Sequence, residues 1–452
     1  MSRNIVLLVL DTVRKDTFDE YATRLQRRAD ISYDRCYAAS HYTLPSHASM
    51  LTGVLPHRHG VHSKNTSYRH LDIADTVFSD LPHQRLGVSA NTGFLSHELG
   101  FGSFFDQYTT LNGETAWFPD GINISDFLDE TTEEGLDKYL TYLNEANKNG
   151  VLYQSIANGF MAKLNSTLQG TPFPRIRDYG ANSVFDKAVD VVSQTKEEFF
   201  LFINVLEAHG PLESVRGWDS TVPNRWYSGK EDSWAVCDGP ADDYTEYLEN
   251  YRNVYEAAVD YLDRRVSRFV DTVQERTQGE TTFVITADHG EALQYPTENS
   301  FGHRELSTPV LHVPCLIINA PGNATESTDE LVSQLSFPDL LTGIANENVP
   351  DISQSAVPAE KLGVYYCPSD RKDFWTRGVR AVYTEDILYR WDSLGNASQY
   401  SVSTSSEELL AEKDVPREYS EAFFAKTFGE IVSTETAQPD AVASRLQSLG
   451  YL

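Results

Sequence analysis

Short runs rich in apolar residues, of which the first is continuous, recur along the chain and predict buried β-strands. The runs cover residues 5–10, 85–90, 198–206 and 281–286. Runs of this length without alternating polar positions are typical of parallel strands that are buried on both faces of a sheet. Residues 5–10 contain only leucine, isoleucine and valine, so this run is predicted to be a central strand.

The stretches between these runs have the periodicity of helices. Over residues 247–268, apolar side chains recur at intervals of three and four residues, which is typical of an amphipathic helix. Another helix is predicted to open at Pro45 and to end at Gly53. This alternation predicts an α/β fold with a doubly wound, mostly parallel central sheet and helices on both faces.

The pattern changes after Pro350. Residues 379–383 and 387–391, separated by three polar residues, predict a β-hairpin. We therefore expect a large domain over residues 1–350 and a small α+β subdomain over residues 351–452. Residues 112–175 are rich in Asn, Thr, Gly and acidic residues, and we interpret them as an insertion of helix and loop that could shape access to a site.

Composition and charge narrow the class of protein. The chain is 40% apolar, as a globular protein is, and its net charge of −29 argues against nucleic acid or an anionic membrane surface as a general partner. No run approaches the roughly 20 apolar residues that span a bilayer, and the first run is too short for a signal peptide. We therefore expect a cytoplasmic protein with no membrane span.

The charge of the surface also suggests a salt-rich environment. Acidic residues number 66 against 37 basic ones, and arginines outnumber lysines; we interpret this as a halophile-like adaptation to a salt-rich cytosol. The alternative is that the acidic residues only keep the protein soluble. The four cysteines share no metal-type spacing and are too sparse for a disulfide framework, so we expect reduced thiols.

Candidate chemistry lies where predicted strands end or a helix begins. Asp11 follows the first strand, Asp288 and His289 follow the strand at 281–286, and Thr43 precedes the helix predicted from Pro45. Ligands of open α/β sheets bind at the carboxyl ends of the strands. Asp11 and Thr43 could each be an ordinary helix N-cap instead, but two carboxylates, an imidazole and a hydroxyl together suit a divalent cation.

Two of the candidates suggest catalysis. A threonine at a helix N-terminus can hold an anionic phosphoryl or sulfuryl group nearby, but its hydroxyl is a poor nucleophile unless a cation activates it. His209 follows the strand at 198–206, so it is a candidate to protonate a leaving-group oxygen or to hold a non-bridging oxygen. A structural histidine is the alternative interpretation.

These motifs resemble the sulfatase family of the alkaline phosphatase superfamily. The resemblance rests on residues 4–11, 43–53, 59–60, 288–291, 303, 311–314 and 446–452, and it spans the chain apart from residues 112–175. It implies that residues 1–350 are a catalytic domain, that the protein hydrolyses sulfate or phosphate esters, and that His209 matches the active-site histidine of the family.

The chain departs from the family at the nucleophile. Sulfatases have Cys or Ser in a Cys/Ser-x-Pro-x-Arg motif, which is oxidised to formylglycine, but here the matching residues are Thr43 and His47. The β-methyl group of threonine prevents formation of that aldehyde, so we expect no formylglycine. Because other members of the superfamily attack phosphorus with Thr or Ser, the resemblance favours phosphate monoester or phosphodiesterase chemistry, with phosphoryl transfer also open.

The expected metal site also departs from the family. Thr12 and His289 stand where sulfatases often have oxygen ligands from acidic and amide side chains, which shifts the preference from Ca²⁺ or Mg²⁺ toward Zn²⁺ or Mn²⁺. Residues 247–268, the expected host of a second metal segment, contain no histidine. We therefore expect one divalent cation, held by Asp11, Thr43, Asp288 and His289.

Three further side chains have predicted roles. His303 lies where relatives often have lysine, so with Arg304 it could supply positive charge to the transferred group, although a surface pair in a loop is equally compatible with the sequence. His47 could orient Thr43 or donate to the same oxygens.

The resulting hypothesis is that Thr43 attacks a small anionic ester, such as that of a sugar or lipid, while His209 assists the leaving group. The alternatives are a sulfuric ester hydrolase with unmodified threonine and a non-catalytic, sulfatase-like binding protein.

Overall fold

A large mixed sheet organises the computed structural model, which describes residues 3–111, 118, 121–122, 127, 135–168, 171, 173–293, 301–323, 327–404, 406–412 and 415–432. The strands of the described residues are β1 (Asn4–Leu10), β2 (Ile31–Tyr37), β3 (Gln84–Ser89), β4 (Gln107–Thr110), β5 (Phe199–Val205), β6 (Thr281–Thr286), β7 (Ala292–Leu293), β8 (Phe301–Gly302), β9 (His312–Val313), β10 (Cys315–Ile318), β11 (Thr328–Ser333), β12 (Ser353–Gln354), β13 (Val357–Leu362), β14 (Gly378–Tyr383), β15 (Ile387–Asp392), β16 (Ala397–Val402) and β17 (Glu407–Ala411).

The α-helices of the same residues are α1 (Lys15–Tyr21), α2 (Thr23–Arg28), α3 (Thr43–Thr52), α4 (Pro56–His59), α5 (Gly135–Lys148), α6 (Leu152–Leu168), α7 (Ala181–Gln194), α8 (Ser233–Asp238), α9 (Thr245–Arg276), α10 (Thr308–Leu311), α11 (Phe337–Ala345), α12 (Lys372–Trp375), α13 (Arg417–Phe423) and α14 (Phe428–Val432). None of the helices in the described ranges is long and apolar enough to cross a membrane.

The large sheet has the order β12-β11-β2-β10-β6-β1-β5-β3-β4. Strands β6, β1, β5, β3 and β4 are parallel to one another, and β10 is antiparallel to both of its neighbours. Every residue of β1, β5 and β6 is buried, because helices cover both faces: α1, α2, α7 and α9 pack together, as do α3 and α11. The doubly wound α/β prediction is confirmed, and β1 lies inside the sheet with a parallel strand on each side.

The predicted helix and hairpin are confirmed, whereas the predicted domain boundary is not tested. The predicted helix at 247–268 lies within the longer helix α9, and the predicted hairpin is β14 paired antiparallel with β15. These two strands belong to a separate antiparallel sheet of order β13-β14-β15-β16-β17. Since β12 still pairs with β11 of the large sheet, the domain boundary at residue 350 stays a prediction.

The predicted insertion at residues 112–175 is described only in part. Its described portion contains helices α5 and α6, and the rest of it lies outside the described residues. The C-terminal motif at 446–452 also lies outside them.

Candidate active site

The predicted ligands meet at the carboxyl edge of the parallel strands. Asp11 directly follows β1, Asp288 and His289 follow β6, and His209 follows β5. Because these three strands are adjacent and parallel, their ends present side chains to one space. One ligand atom from each of Asp11, Asp288 and His289 lies within 4.8 Å of the other two.

The turn after β1 holds the two carboxylates in place. Thr12 has φ of 67°, a left-handed conformation that is uncommon for a β-branched residue and that concentrates at functional sites. In this turn the Thr12 amide donates to Asp288 Oδ1 at 3.2 Å, and its hydroxyl donates to Asp11 Oδ1 at 2.9 Å. Thr12, which replaces an acidic residue of the family motif, therefore links both carboxylates.

Two buried atoms in this cluster have no hydrogen-bond partner among the described residues. They are Asp288 Oδ2 and His289 Nε2, which lie 3.5 Å apart. Asp288 Oδ1 already accepts from two backbone amides, and His289 Nδ1 lies 2.9 Å from the carbonyl oxygen of Gly290. A His289 ring that donates from Nδ1 directs the lone pair of Nε2 toward Asp288, so this donor set suits a divalent cation.

Two asparagines that sequence reasoning missed contact Asp11, one from the adjacent strand β5 and one from the turn after β3. Asn204 Nδ2 donates to Asp11 Oδ2 at 3.2 Å, and Asn91 Nδ2 lies 3.5 Å from the same oxygen. Both residues are buried. A buried amide between Ile203 and Val205 in a strand is the signal in the sequence that could have identified Asn204, because a polar side chain there needs a specific partner.

The predicted start of the helix that carries Thr43 is wrong by two residues. Helix α3 begins at Thr43 itself, with Tyr42 as an extended N-cap residue, and ends at Gly53, whose φ is 69°. The helix therefore already includes Thr43 before Pro45, which suits the first turn because its missing amide hydrogen is not needed there. The Thr43 hydroxyl lies near Asp288 and opposes the rise that burial causes in the pKa of that carboxyl.

His47 lies one helical turn after Thr43 and faces the same cluster. Its Nδ1 is 2.8 Å from the Thr43 carbonyl oxygen and 3.7 Å from Asp288 Oδ2. The rings of Phe101 and Phe202 pack edge-on against it, and the side chain is fully buried. The residue that replaces the motif arginine is therefore fixed beside Thr43 in an apolar surrounding.

Burial and mutual charge set the protonation of the cluster. Burial, reinforced by the Asp11 carboxylate, raises the pKa of Asp288 well above its usual value. Burial opposes ionisation of Asp11 as well, but His209, His289 and His47 together bring its pKa below the usual value. Burial lowers the pKa of His47 to about 4 and also lowers that of His289. Neutral imidazoles beside carboxylates leave a site that attracts a cation.

A cavity of about 540 Å³ opens in front of this cluster. His209, His303 and Arg304 line it, and the His303 ring centroid lies 4.5 Å from that of His289 and 5.6 Å from that of His209. Arg304 stacks 4.3 Å over the Trp234 ring. His41 is a further lining histidine that sequence reasoning missed.

Arg304 is engaged with the wall of this cavity. Its guanidinium donates to Ser233 Oγ at 2.9 Å and to the Phe301 carbonyl oxygen at 2.6 Å. Of the predicted site residues, His209, His303 and Arg304 line the cavity. The other five are buried and are not among its lining residues: Asp11, Thr43, His47, Asp288 and His289. The role of each stays a prediction.

Comparisons with known proteins identify the family. A family model described as Sulfatase matches residues 3–346, about three quarters of the chain. No curated protein matches the chain. The cluster of Asp11, Asp288 and His289 agrees with the metal dependence of this family.

Several solved structures share the fold. Phosphonate monoester hydrolase of Agrobacterium radiobacter has a TM-score of 0.62 at 13% identity, covering 99% of this chain and 97% of that one. The SpPMH enzyme of Silicibacter pomeroyi has 0.61 at 14%, covering 88% and 89%. A putative sulfatase from Bacteroides thetaiotaomicron has 0.57 at 14%, covering 98% and 96%. The fold and the family model agree: the chain belongs to the sulfatase family and is a hydrolase acting on ester bonds.

Proposed function

We propose that this protein hydrolyses phosphate monoesters or diesters with Thr43 as the nucleophile. The observation that carries the proposal is the position of Thr43, which is the first residue of α3 and lies close enough to Asp288 for its hydroxyl to counteract the raised pKa of that carboxyl. A threonine at this position cannot provide formylglycine, and a helix N-terminus favours an anionic group beside the hydroxyl. Phosphate esters are the anionic esters that a direct hydroxyl nucleophile of this superfamily would attack.

One divalent cation is part of the proposal. Asp11, Asp288, His289 and Thr43 would hold it, and the mixture of oxygen and imidazole donors favours Zn²⁺ or Mn²⁺ over Ca²⁺ or Mg²⁺. When bound, such an ion lowers the pKa of a hydroxyl ligand and offsets the negative charge of the ester. The partnerless Asp288 Oδ2 and His289 Nε2 atoms support this assignment.

Each side chain of the site has its own role in the proposed reaction. Thr43 Oγ1 forms a bond to phosphorus while the bond from phosphorus to the leaving-group oxygen breaks, and water in the cavity accepts the proton of the hydroxyl. His209, whose pKa burial lowers, is neutral before the reaction, so in this proposal it first takes up a proton from that water and then passes it to the departing oxygen. Water then cleaves the ester of Thr43 and releases phosphate. His47 holds the first turn of α3, and His303 with Arg304 contributes donors along the cavity wall.

Sulfate ester hydrolysis by unmodified Thr43 is the second candidate function. Membership of the sulfatase family favours it, and one structure of similar fold, BT4656, is described in complex with its substrate D-glucosamine-2-N,6-O-disulfate, with a TM-score of 0.54 at 12% identity. A sugar or lipid ester as the substrate, a cytoplasmic location and adaptation to high salt stay predictions.

The test is turnover of nitrophenyl phosphate, bis-nitrophenyl phosphate, phenylphosphonate and sulfate esters by metal-stripped protein resupplied with Zn²⁺, Mn²⁺, Mg²⁺ or Ca²⁺. We expect faster turnover of phosphate than sulfate esters, with Zn²⁺ or Mn²⁺ most effective. Faster turnover of sulfate would select the second candidate. No turnover of any ester by protein that has bound metal would support a non-catalytic protein.

A further inference from the structure

Exposed apolar side chains are concentrated in one segment of the described chain. Of its thirteen exposed large hydrophobic residues, nine lie between positions 118 and 176. Monomeric proteins rarely present large apolar surface in one region unless it binds something. We call the side chains on α5 and α6 the insertion surface; they are Tyr139, Leu140, Leu143, Tyr153, Ile156 and Phe160.

Helix α6 has one face toward the protein and the opposite face toward solvent. Ser155 and Asn158 are buried, and their side chains hydrogen-bond the backbone of Ile122 and Phe118. At 100° per residue, Tyr153 and Phe160 lie on the side opposite to these anchors. Their exposed fractions are 86% and 65%, so this apolar stripe has no cover within the described chain.

Helix α5 is anchored in the same way. Tyr142 is buried, and its hydroxyl donates to the carbonyl oxygen of Ser155 on α6 at 2.9 Å. Tyr139, Leu140 and Leu143 are exposed. Both helices are therefore held by buried polar contacts while large apolar side chains face outward, an arrangement that stability of the fold does not require.

The charge of this segment differs from that of the whole chain. Residues 112–134 contain seven acidic residues and no basic residue, whereas residues 135–177 contain five basic and two acidic residues, and residues 146–177 contain no acidic residue. The chain as a whole carries −29. The three lysines of α5 and α6 outnumber their two acidic residues, whereas Arg175 is buried and paired with Glu213. Because salt screens charges beyond about 8 to 10 Å, a large partner that touches this face would respond mainly to these lysines.

We propose that the insertion surface docks on an anionic lipid bilayer, with α6 lying in the plane of the interface. Aromatic and aliphatic side chains beside lysines are the features of helices that bind at this depth. Tyr153, Ile156 and Phe160 would enter the headgroup region, while Lys148 and Lys163 contact lipid phosphates. A second copy docked through the same face fits less well, since it would bring the lysines of one molecule against those of the other.

The experiment is co-sedimentation of the full chain with vesicles of phosphatidylglycerol and, separately, of phosphatidylcholine. We expect the chain to bind phosphatidylglycerol vesicles about tenfold or more tightly than phosphatidylcholine vesicles. Binding to phosphatidylglycerol should weaken at 1 M salt. The variant Tyr153→Ser/Phe160→Ser should lose about tenfold or more of the partition coefficient, and Lys163→Glu should lose less. Ester hydrolysis of a soluble substrate should stay unchanged, because none of these residues lines the catalytic cavity.

A matched pair of variants separates docking from general hydrophobicity. Leu140 on the insertion surface and Leu394 in the C-terminal sheet are 58% and 57% exposed. Leu140→Ser should weaken vesicle binding, and Leu394→Ser should not. The proposal is overturned if the unaltered chain ignores phosphatidylglycerol vesicles, if both variants weaken binding equally, or if light scattering shows only a dimer that Tyr153→Ser/Phe160→Ser dissociates.

Discussion

Two clusters of buried charge in this protein are satisfied in opposite ways. Beside the C-terminal sheet, Glu305 receives Lys361 at 3.1 Å and Arg377 at 2.8 Å, and Arg377 also reaches Asp392 at 2.8 Å. At the edge of the large sheet, Asp288 Oδ2 and His289 Nε2 have no partner among the described residues. The first cluster compensates its charges internally, and the second leaves donor atoms available to an ion.

The two clusters show how buried polar groups that stabilise the fold differ from buried polar groups that serve function. A buried group without a partner costs about 1 to 3 kcal/mol or more, so a fold retains such a group where a ligand or a reaction uses it. A complete ion-pair network needs no such explanation, because its members stabilise one another. We therefore expect substitutions at the sheet edge to change activity and substitutions beside the C-terminal sheet to change stability.

Removal of the Thr43 hydroxyl should give the largest effect. Thr43→Val keeps the size of the side chain but removes the proposed nucleophile, so ester hydrolysis should fall about 10³-fold or more with an unchanged urea midpoint. The measurement is turnover of the best nitrophenyl ester. Thr52→Val is the control, since the hydroxyl of Thr52 bonds the backbone of Ala48 and Val54 at the other end of α3. Full turnover by Thr43→Val would rule out this nucleophile.

Removal of one charge from the internally paired cluster should mainly change stability. Glu305→Gln leaves Lys361 and Arg377 buried without their shared carboxylate, so the free energy of unfolding should fall by about 3 to 5 kcal/mol. Urea unfolding measures the change, and Glu408→Gln, at an exposed position of β17, is the control. A large loss of turnover in the folded variant, without loss of stability, would contradict the division between the clusters.

The amides that hold Asp11 should have a smaller effect on the ion. Asn204→Ala removes a hydrogen bond to Asp11 Oδ2, so metal affinity should fall about 10- to 100-fold, as it does when other partners of metal ligands are removed. Competition with a chromogenic chelator gives the affinity. Asn182→Ala, which alters a contact to Asp178 instead, should leave it unchanged. Equal affinities for Asn204→Ala and the unaltered chain would show that Asp11 needs no such support.

A buried acid outside both clusters, Glu207, should make the stability of the protein depend on pH. Burial, reinforced by Asp178, raises the pKa of Glu207 to about 8 from 4.5. The folded chain therefore keeps a proton that the unfolded chain has lost, and its stability falls as pH rises through 8. Between pH 7 and pH 9 we expect a loss of about 1.4 kcal/mol from this group.

The matched variants isolate that contribution. Urea midpoints at pH 7 and pH 9 should differ less in Glu207→Gln than in the unaltered chain. Glu249→Gln, at an exposed position of α9, should keep the full difference. An identical pH dependence in all three proteins would show that Glu207 titrates normally.

The sequence by itself determined the strands and much of the ligand set. Short runs rich in apolar residues identify β1, β3, β5 and β6, because strands buried on both faces need mostly apolar residues. Asp11, His209 and Asp288 could be placed at strand ends from these runs alone. Parallel strands bring their carboxyl ends to one edge, so proximity of these residues follows from local pattern and fold class together.

Only the tertiary structure decided which polar atoms have partners. The contact between Asn204 and Asp11 joins residues 193 positions apart, and no local periodicity encodes that pairing. The first turn of α3 was misplaced because proline is compatible with several positions there. The packing of His303 against His289, and the outward face of α6, likewise depend on how distant elements pack, since partners and exposure are properties of the assembled chain.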